Sequence, residues 1–192
     1  MKEILLLGDG GHSKSVIDVI EQEGQFKIAG IVGTSNSIGS EVLGYKVIGE
    51  DEDINKLSKI YKYAIVAVGQ IYSPGTRLKL YSLLIESGFN LPYIVSPRAY
   101  ISRHAIIGKG SIVMHNAVVN ANASVGDNCI INSNALIEHD SIVQSHCHIS
   151  TSATINGNVT VGEGSFIGSG AVTNNSIVIK KNSFIKAGSI VK

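Results

Sequence analysis

The chain is 192 residues long and carries 16 Lys and Arg against 15 Asp and Glu, a net charge of +1. That balance excludes the concentrated basic surface of a general nucleic-acid or anionic-membrane binder. The opening apolar run of Ile4, Leu5, Leu6 and Leu7 is stopped by Gly8, too soon for a signal-peptide core or a membrane span; with only two cysteines, the expectation is a cytoplasmic protein with reduced thiols.

The first half reads as a small α/β unit. Residues 3–7 form a strand that runs into Gly8-Asp9-Gly10-Gly11-His12. A helix follows, with Val16, Ile17 and Ile20 on one face, until Gly24 stops it. Further strands are predicted at residues 27–32 and 63–68, and a helix over residues 76–87 ends at Gly88. Strands alternating with helices imply a parallel, Rossmann-like sheet that takes ligands at the carboxyl ends of its strands. The glycine-rich loop opening a helix is an anion cradle in type, because backbone N–H groups and the helix dipole converge on it. It is not a dinucleotide fingerprint, since Ser13 stands where the third glycine belongs. The second strand also ends in Gly33-Thr34, not in the acid a ribose would want. A tight turn with no ligand is the plainer alternative. Residues 92–97, bounded by two prolines, form the junction that divides a domain at 1–96 from one at 97–192.

The second half is periodic. Every sixth residue from Ile101 to Ile185 is Ile or Val, with Thr173 the one departure and no insertion. Four places after most of these aliphatics sits a small residue, as at Ala105, Ser111, Ala117, Ala123, Cys129 and Ala135. Three places after most of them sits Gly, Asn or Asp, the residue types that tolerate positive φ, so each repeat contains a turn. Such a unit describes one side of a prism. Three sides make a coil of 18 residues, and successive coils stack at about 4.8 Å, the spacing of parallel strands. A sandwich of short strands does not hold a six-residue register over so long a stretch.

Within that register His139 falls two places after an inward aliphatic, on an outward turn edge that a substrate can reach. Asp140 follows and is placed to orient the imidazole, although it also occupies the turn column and is explained in part by backbone geometry. One coil on from residue 139 is Gly157, stacked beside the histidine with its N–H unobstructed. Asn132 and His148 lie on neighbouring coil positions. A histidine suits proton removal because its pKa lies near working pH. His104 and His115 read as solvated surface residues, and His146 falls in the turn column. Cys129 and Cys147 stack inside the prism one coil apart, where buried thiols are inert, so a covalent acyl-enzyme is not expected.

Residues 101–190 resemble the left-handed β-helix of hexapeptide-repeat acyltransferases, which usually work as trimers. Together with the Gly10-Gly11-His12 loop, the whole chain resembles the bacterial sialic-acid O-acetyltransferases and nucleotide-sugar N-acetyltransferases, among them the bacillosamine and perosamine enzymes. The left hand of the helix is implied by that resemblance alone. The resemblance also implies acetyl-CoA as co-substrate without a metal, direct attack on the thioester with His139 as general base beside Asp140, and His148 and Gly157 lining the acetyl-CoA site. Gly10, Gly11, His12 and Asn132 would then meet a nucleotide sugar, with each site built between subunits of a homotrimer. The acceptor implied is the amino group of a nucleotide-linked 4-amino sugar. Sialic-acid O-acetylation, a non-catalytic trimeric binding module and a zinc enzyme of carbonic-anhydrase type on the same helix are the alternatives. Gly33-Thr34 departs from the family pattern, which carries acidic residues after the second strand, and leaves the nucleotide undetermined.

Overall fold

In the computed structural model, which describes residues 1–192, strand β1 (Lys2–Leu7) buries Ile4, Leu5, Leu6 and Leu7 on both of its faces, as a central parallel strand does. Helix α1 (Gly11–Glu23) buries Val16, Ile17, Val19 and Ile20, and Gly24 ends it at φ +69° with its N–H bonded to the Ile20 carbonyl. β2 (Phe26–Val32) pairs in parallel with β1. A short hairpin of β3 (Glu41–Val42) and β4 (Tyr45–Gly49) follows, and β4 adds to β2 in parallel. After helix α2 (Ile54–Leu57), β5 (Tyr63–Val66) joins the other side of β1, and helix α3 (Gly75–Glu86) covers it. The sheet order is β3-β4-β2-β1-β5. The chain therefore moves outward from β1 in one direction and then returns to its far side, which places a reversal of strand order beside β1.

The predicted strands and helices of this unit all form, with ends displaced by a residue or two. The third strand stops at Val66 and not at 68, although Ala67 still donates to the Leu7 carbonyl at 2.7 Å. The β3–β4 hairpin had no counterpart in the sequence reading. Its turn is Leu43-Gly44, with both residues at positive φ, and a leucine there gives none of the usual Asn or Asp signal for such a turn.

The prism begins with β6 (Ile94–Val95), which pairs with Ile112 and Val113 and so precedes the junction expected after residue 96. Two-residue strands then recur to Ile190–Val191 and form three parallel sheets of six, five and six strands. Partners lie 18 residues apart, as in Tyr100 with Val118 and Val118 with Leu136. This is a left-handed β-helix. Its core is the two inward columns, in which Val119, Ile137, Ile155 and Ile167 alternate with Ala117, Ala135, Ala153 and Ala171, all fully buried. Each large aliphatic buried this way contributes about 1.5–3 kcal/mol. Thr173, the departure in the column, is also buried, and its Oγ1 accepts from the backbone N–H of Asn156 at 2.9 Å. Every sixth residue from Gly110 to Gly188 has positive φ, including His146, Ser152 and Ser176, so the turn is a property of position and not only of residue type.

The chain divides into two units, one of Met1–Gly69 with Gly75–Pro92, the other of Gln70–Pro74 with Tyr93–Lys192. The short Gln70–Pro74 segment thus belongs with the prism. No helix is long and apolar enough to cross a membrane.

Candidate functional site

The edge of the prism between residues 137 and 142 carries a linked set of polar side chains. Nδ1 of His139 lies 2.8 Å from Oδ2 of Asp140, and both side chains are half exposed, at 59% and 50%. One coil back, Asn122 donates to Oδ1 of Asp140 at 2.7 Å, and Asn120 donates to Glu138 at 2.9 Å. The Asp140 carboxylate therefore accepts from both sides. The Asn122 amide and the imidazole hold its pKa below the ordinary carboxylate value, while the Asp140 hydrogen bond and charge raise that of His139. With Nδ1 committed to Asp140, Nε2 is the nitrogen left to exchange a proton.

Gly157 lies where the sequence put it, beneath this ring. A Cβ there would stand 2.8 Å from Cε1 and 2.9 Å from Nε2 of His139, so any side chain would displace the imidazole. The Asn158 N–H bonds to the His139 carbonyl at 3.0 Å, which ties the two coils together at the same edge.

His148 and Asn132 come together elsewhere, on a different sheet of the same prism. His148 is buried, 7% exposed. Its Nδ1 lies 2.5 Å from the Gln70 carbonyl and its Nε2 3.1 Å from the Asn132 amide nitrogen. A carbonyl only accepts and an amide nitrogen only donates, so the ring is assigned as the neutral Nδ1–H tautomer. The ring also meets Phe166 edge-on at 5.2 Å. Gln70 further donates to the His146 carbonyl at 2.9 Å.

The glycine-rich loop sits at the amino end of α1. Gly8 takes φ +120°, and a Cβ there would be 2.5 Å from Val68 Cγ2, so the fold itself demands this glycine. Gly10 and Gly11 have open space where a Cβ would go. His12 lies in the first turn of the helix, with its Cβ 3.4 Å from where a side chain on Gly69 would begin.

The family model of the PglD N-terminal domain matches residues 3–84, and that of the bacterial transferase hexapeptide (six repeats) matches residues 104–139. A search of curated proteins finds no match. Among solved structures, the acetyltransferase domain of PglB from Neisseria gonorrhoeae is 32% identical with a TM-score of 0.91, over 100% of this chain and 92% of that one. The same domain in complex with acetyl coenzyme A gives 32% and 0.89, over 99% and 92%. PerB from Caulobacter crescentus, in complex with CoA and GDP-perosamine, is 30% identical with a TM-score of 0.93, over 100% and 89%. The chain belongs to the hexapeptide-repeat acyltransferase family.

For an acyltransferase the two cysteines are the obvious rival nucleophiles. Both are fully buried, and each thiol lies 3.2 Å from a backbone carbonyl, that of Gln144 for Cys129 and that of Gly162 for Cys147. Hydrogen bonding to Cys129 and burial push the Cys147 thiol pKa far up, away from the thiolate an acyl carrier needs. Of the remaining histidines of this acyltransferase, His104 lies on the same edge two coils before Asp140, and His115 and His146 lie on the other two edges. His104 accepts from Arg103 at 3.0 Å, His115 meets Ser96 at 2.7 Å, and His146 meets Asn128 at 3.0 Å. No group of three or more His, Cys, Asp and Glu is arranged to hold a metal.

Sequence reasoning missed Asn122, Asn120 and Gln70. The first two were findable, because each stands 18 residues before an acid of the edge. Gln70 reaches the prism from a separate stretch of chain, and nothing local marks it.

Proposed function

We propose that this acyltransferase moves the acetyl group of acetyl-CoA onto the amino group of a nucleotide-linked 4-amino sugar, with His139 as general base. The observation that carries the reading is the His139–Asp140 pair seated over Gly157. The amine lone pair attacks the thioester carbonyl carbon, and Nε2 of His139 takes an N–H proton. Asp140 orients the ring and stabilises the imidazolium. The backbone N–H of Gly157 meets the charge that develops on the carbonyl oxygen. The C–S bond then breaks, and the CoA thiolate takes the proton back from His139. The ligands named for the two relatives, acetyl coenzyme A in PglB and CoA with GDP-perosamine in PerB, support this donor and this class of acceptor.

His148 and Asn132 belong to the donor and acceptor sides of the same site in this reading, and Gly10, Gly11 and His12 meet the nucleotide sugar. A single prism keeps the His139 edge and His148 on different faces, which supports a homotrimer whose sites are completed by neighbouring copies. Exposed Ile106, Ile142 and Val178 on one sheet, and Tyr100, Val172 and Ile190 on another, supply apolar surface for such contacts.

The test is thiol release from acetyl-CoA with 4-amino sugars linked to different nucleotides and with free sialic acid. One amino-sugar nucleotide should be turned over, and His139→Ala should lower kcat by about 10²–10⁴-fold. Turnover of sialic acid alone would replace the amine by a hydroxyl, and an active His139→Ala enzyme would remove the histidine from its role.

A further inference from the structure

The N-terminal unit contains a cavity of about 180 Å³ at the carboxyl ends of its strands, beside the reversal of strand order. Leu7 and Val32, the last residues of β1 and β2, line it together with Val68 and Leu80, so much of the lining is apolar. Asp9, Thr34 and Thr76 supply polar side chains to it. Lys79 and Asp51 also reach it, but they are engaged with each other at 3.0 Å.

The sequence departs from its family at the end of β2, where Gly33-Thr34 replaces the acid that a ribose-binding sheet carries there. The structure returns an acid to that place from a different loop. Oδ2 of Asp9, on the loop after β1, accepts from the Thr34 N–H at 3.4 Å. It lies so close over Gly33 that a Cβ on that residue would stand 2.5 Å from it and 2.6 Å from the Ser37 hydroxyl. Gly33 has ordinary negative φ, so no backbone strain calls for glycine. The glycine leaves room for the carboxylate, which any side chain there would push aside. A carboxylate offers about four lone-pair positions, and one weak bond to Thr34 leaves most of them for donors on a ligand.

We propose that Asp9 is the ribose-reading residue of this enzyme, accepting hydrogen bonds from the vicinal 2′- and 3′-hydroxyls of the nucleoside. The assignment rests on the nucleotide-sugar reading above. A nucleobase has flat apolar faces that suit Leu7, Val32, Val68 and Leu80, which leaves the sugar beside the acid. The consequence is selection of ribonucleotide-linked sugars, with uridine or guanosine, over 2′-deoxythymidine-linked ones. The selection arises because Asp9, partly buried at the rim of the cavity and covered further by a bound nucleotide, goes unpaired when the 2′-hydroxyl is missing.

The test is calorimetric titration of the full chain with UDP against 2′-deoxy-UDP, and GDP against 2′-deoxy-GDP, without acetyl-CoA. For whichever base binds, the deoxy form should bind about 10–100-fold more weakly. Asp9→Ala should bring the ratio to near one. Gly33→Ala keeps the carboxylate but displaces it, so it should also collapse the ratio, and thermal melts confirm that each variant is folded. Equal binding of ribo and deoxy forms by the unmodified enzyme, or an unchanged ratio in both variants, overturns the proposal. Loss of discrimination between uracil and guanine with the ribose ratio intact overturns it too, because Asp9 would then read the base. No binding of any nucleotide sinks this inference and the nucleotide-sugar reading together. A clear ribose ratio with no acetyl transfer sinks only the reaction.

Discussion

Two histidines of the prism stand in opposite chemical situations. His139 stands on an edge, 59% exposed, with one ring nitrogen held by a carboxylate and the other above a glycine. His148 points from a strand, 7% exposed, with a carbonyl on one nitrogen and an amide on the other. The first ring is oriented and left with a nitrogen to work with, whereas the second is oriented and fully occupied. A protein acceptor on one nitrogen and a protein donor on the other fix a tautomer and make a ring a strut. A carboxylate on one nitrogen and open space at the other are what the proposed base requires.

The sharpest way to break this contrast is to fill the space under the first ring. Gly157→Ala places a methyl 2.8–2.9 Å from the imidazole, closer than van der Waals contact allows, so the ring must move. Displacement of a catalytic group by about 1 Å costs on the order of 10²-fold. We expect kcat to fall by about that factor while the melting temperature changes little, since the ring that gives way is more than half exposed. A fully active Gly157→Ala enzyme would show that the position of His139 does not matter to the rate.

Asp140→Asn sharpens the same point through pH. The turn is preserved, because Asn already occupies the positive-φ corner at Asn122 and Asn158, one coil to either side. The negative charge is lost. Asp140 raises the His139 pKa, and the base works only when neutral, so kcat/KM should rise with pH through that pKa. Without the charge the pKa falls, and the acid limb of the profile moves to lower pH. The weaker base also lowers the plateau, by about tenfold. A pH–rate profile with an unmoved acid limb would separate Asp140 from the titration.

The prism was legible because its interactions recur at one interval. Once Ile101, Ile107 and Val113 establish the step of six, the step of 18 assigns Gly157 to His139 without any further information. The same step would have assigned Asn122 to Asp140. The α/β unit lacks that property. Its strands were legible from their apolar runs, but the contact of Asp9 with Thr34 joins two loops whose spacing repeats nowhere. At Gly33 the sequence shows no acid, whereas the Asp9 carboxylate lies against it from another loop. Gln70 is the extreme case, since its role depends on a five-residue segment joining the prism from the other half of the chain. Residue type located a side-chain cluster only where geometry was periodic.

Replacing the strut should have a different signature from replacing the base. His148→Phe preserves shape and the contact with Phe166 but leaves the Gln70 carbonyl and the Asn132 amide without their partner. Leaving buried polar groups unpaired costs about 2 kcal/mol, or roughly 4–8 °C in melting temperature for a chain of this size. If the ring lines the acetyl-CoA site, the kinetic effect should appear as a raised KM for acetyl-CoA with kcat little changed. A collapse of kcat with unaltered stability would make His148 the proton carrier and reverse the comparison.

The smallest effect is expected at the cysteines, and its smallness is the informative result. Cys129 and Cys147 occupy the inward small column, in which Ala117, Ala123, Ala135, Ala153 and Ala171 are already the common residue. Replacing both by alanine therefore keeps the column's own solution and removes two sulfur atoms from the core, at a cost of about 1 kcal/mol each. If acetyl passes directly from CoA to the acceptor, the double variant should keep kcat within about twofold, well under the change that loss of a nucleophile brings. Intact-mass spectra of enzyme quenched during turnover should show no acetyl adduct. Loss of activity in a folded double variant, or a mass adduct that vanishes with Cys147, would mean that the prism opens far enough to expose its interior during turnover. His139 would then serve a thiol and not the acceptor amine.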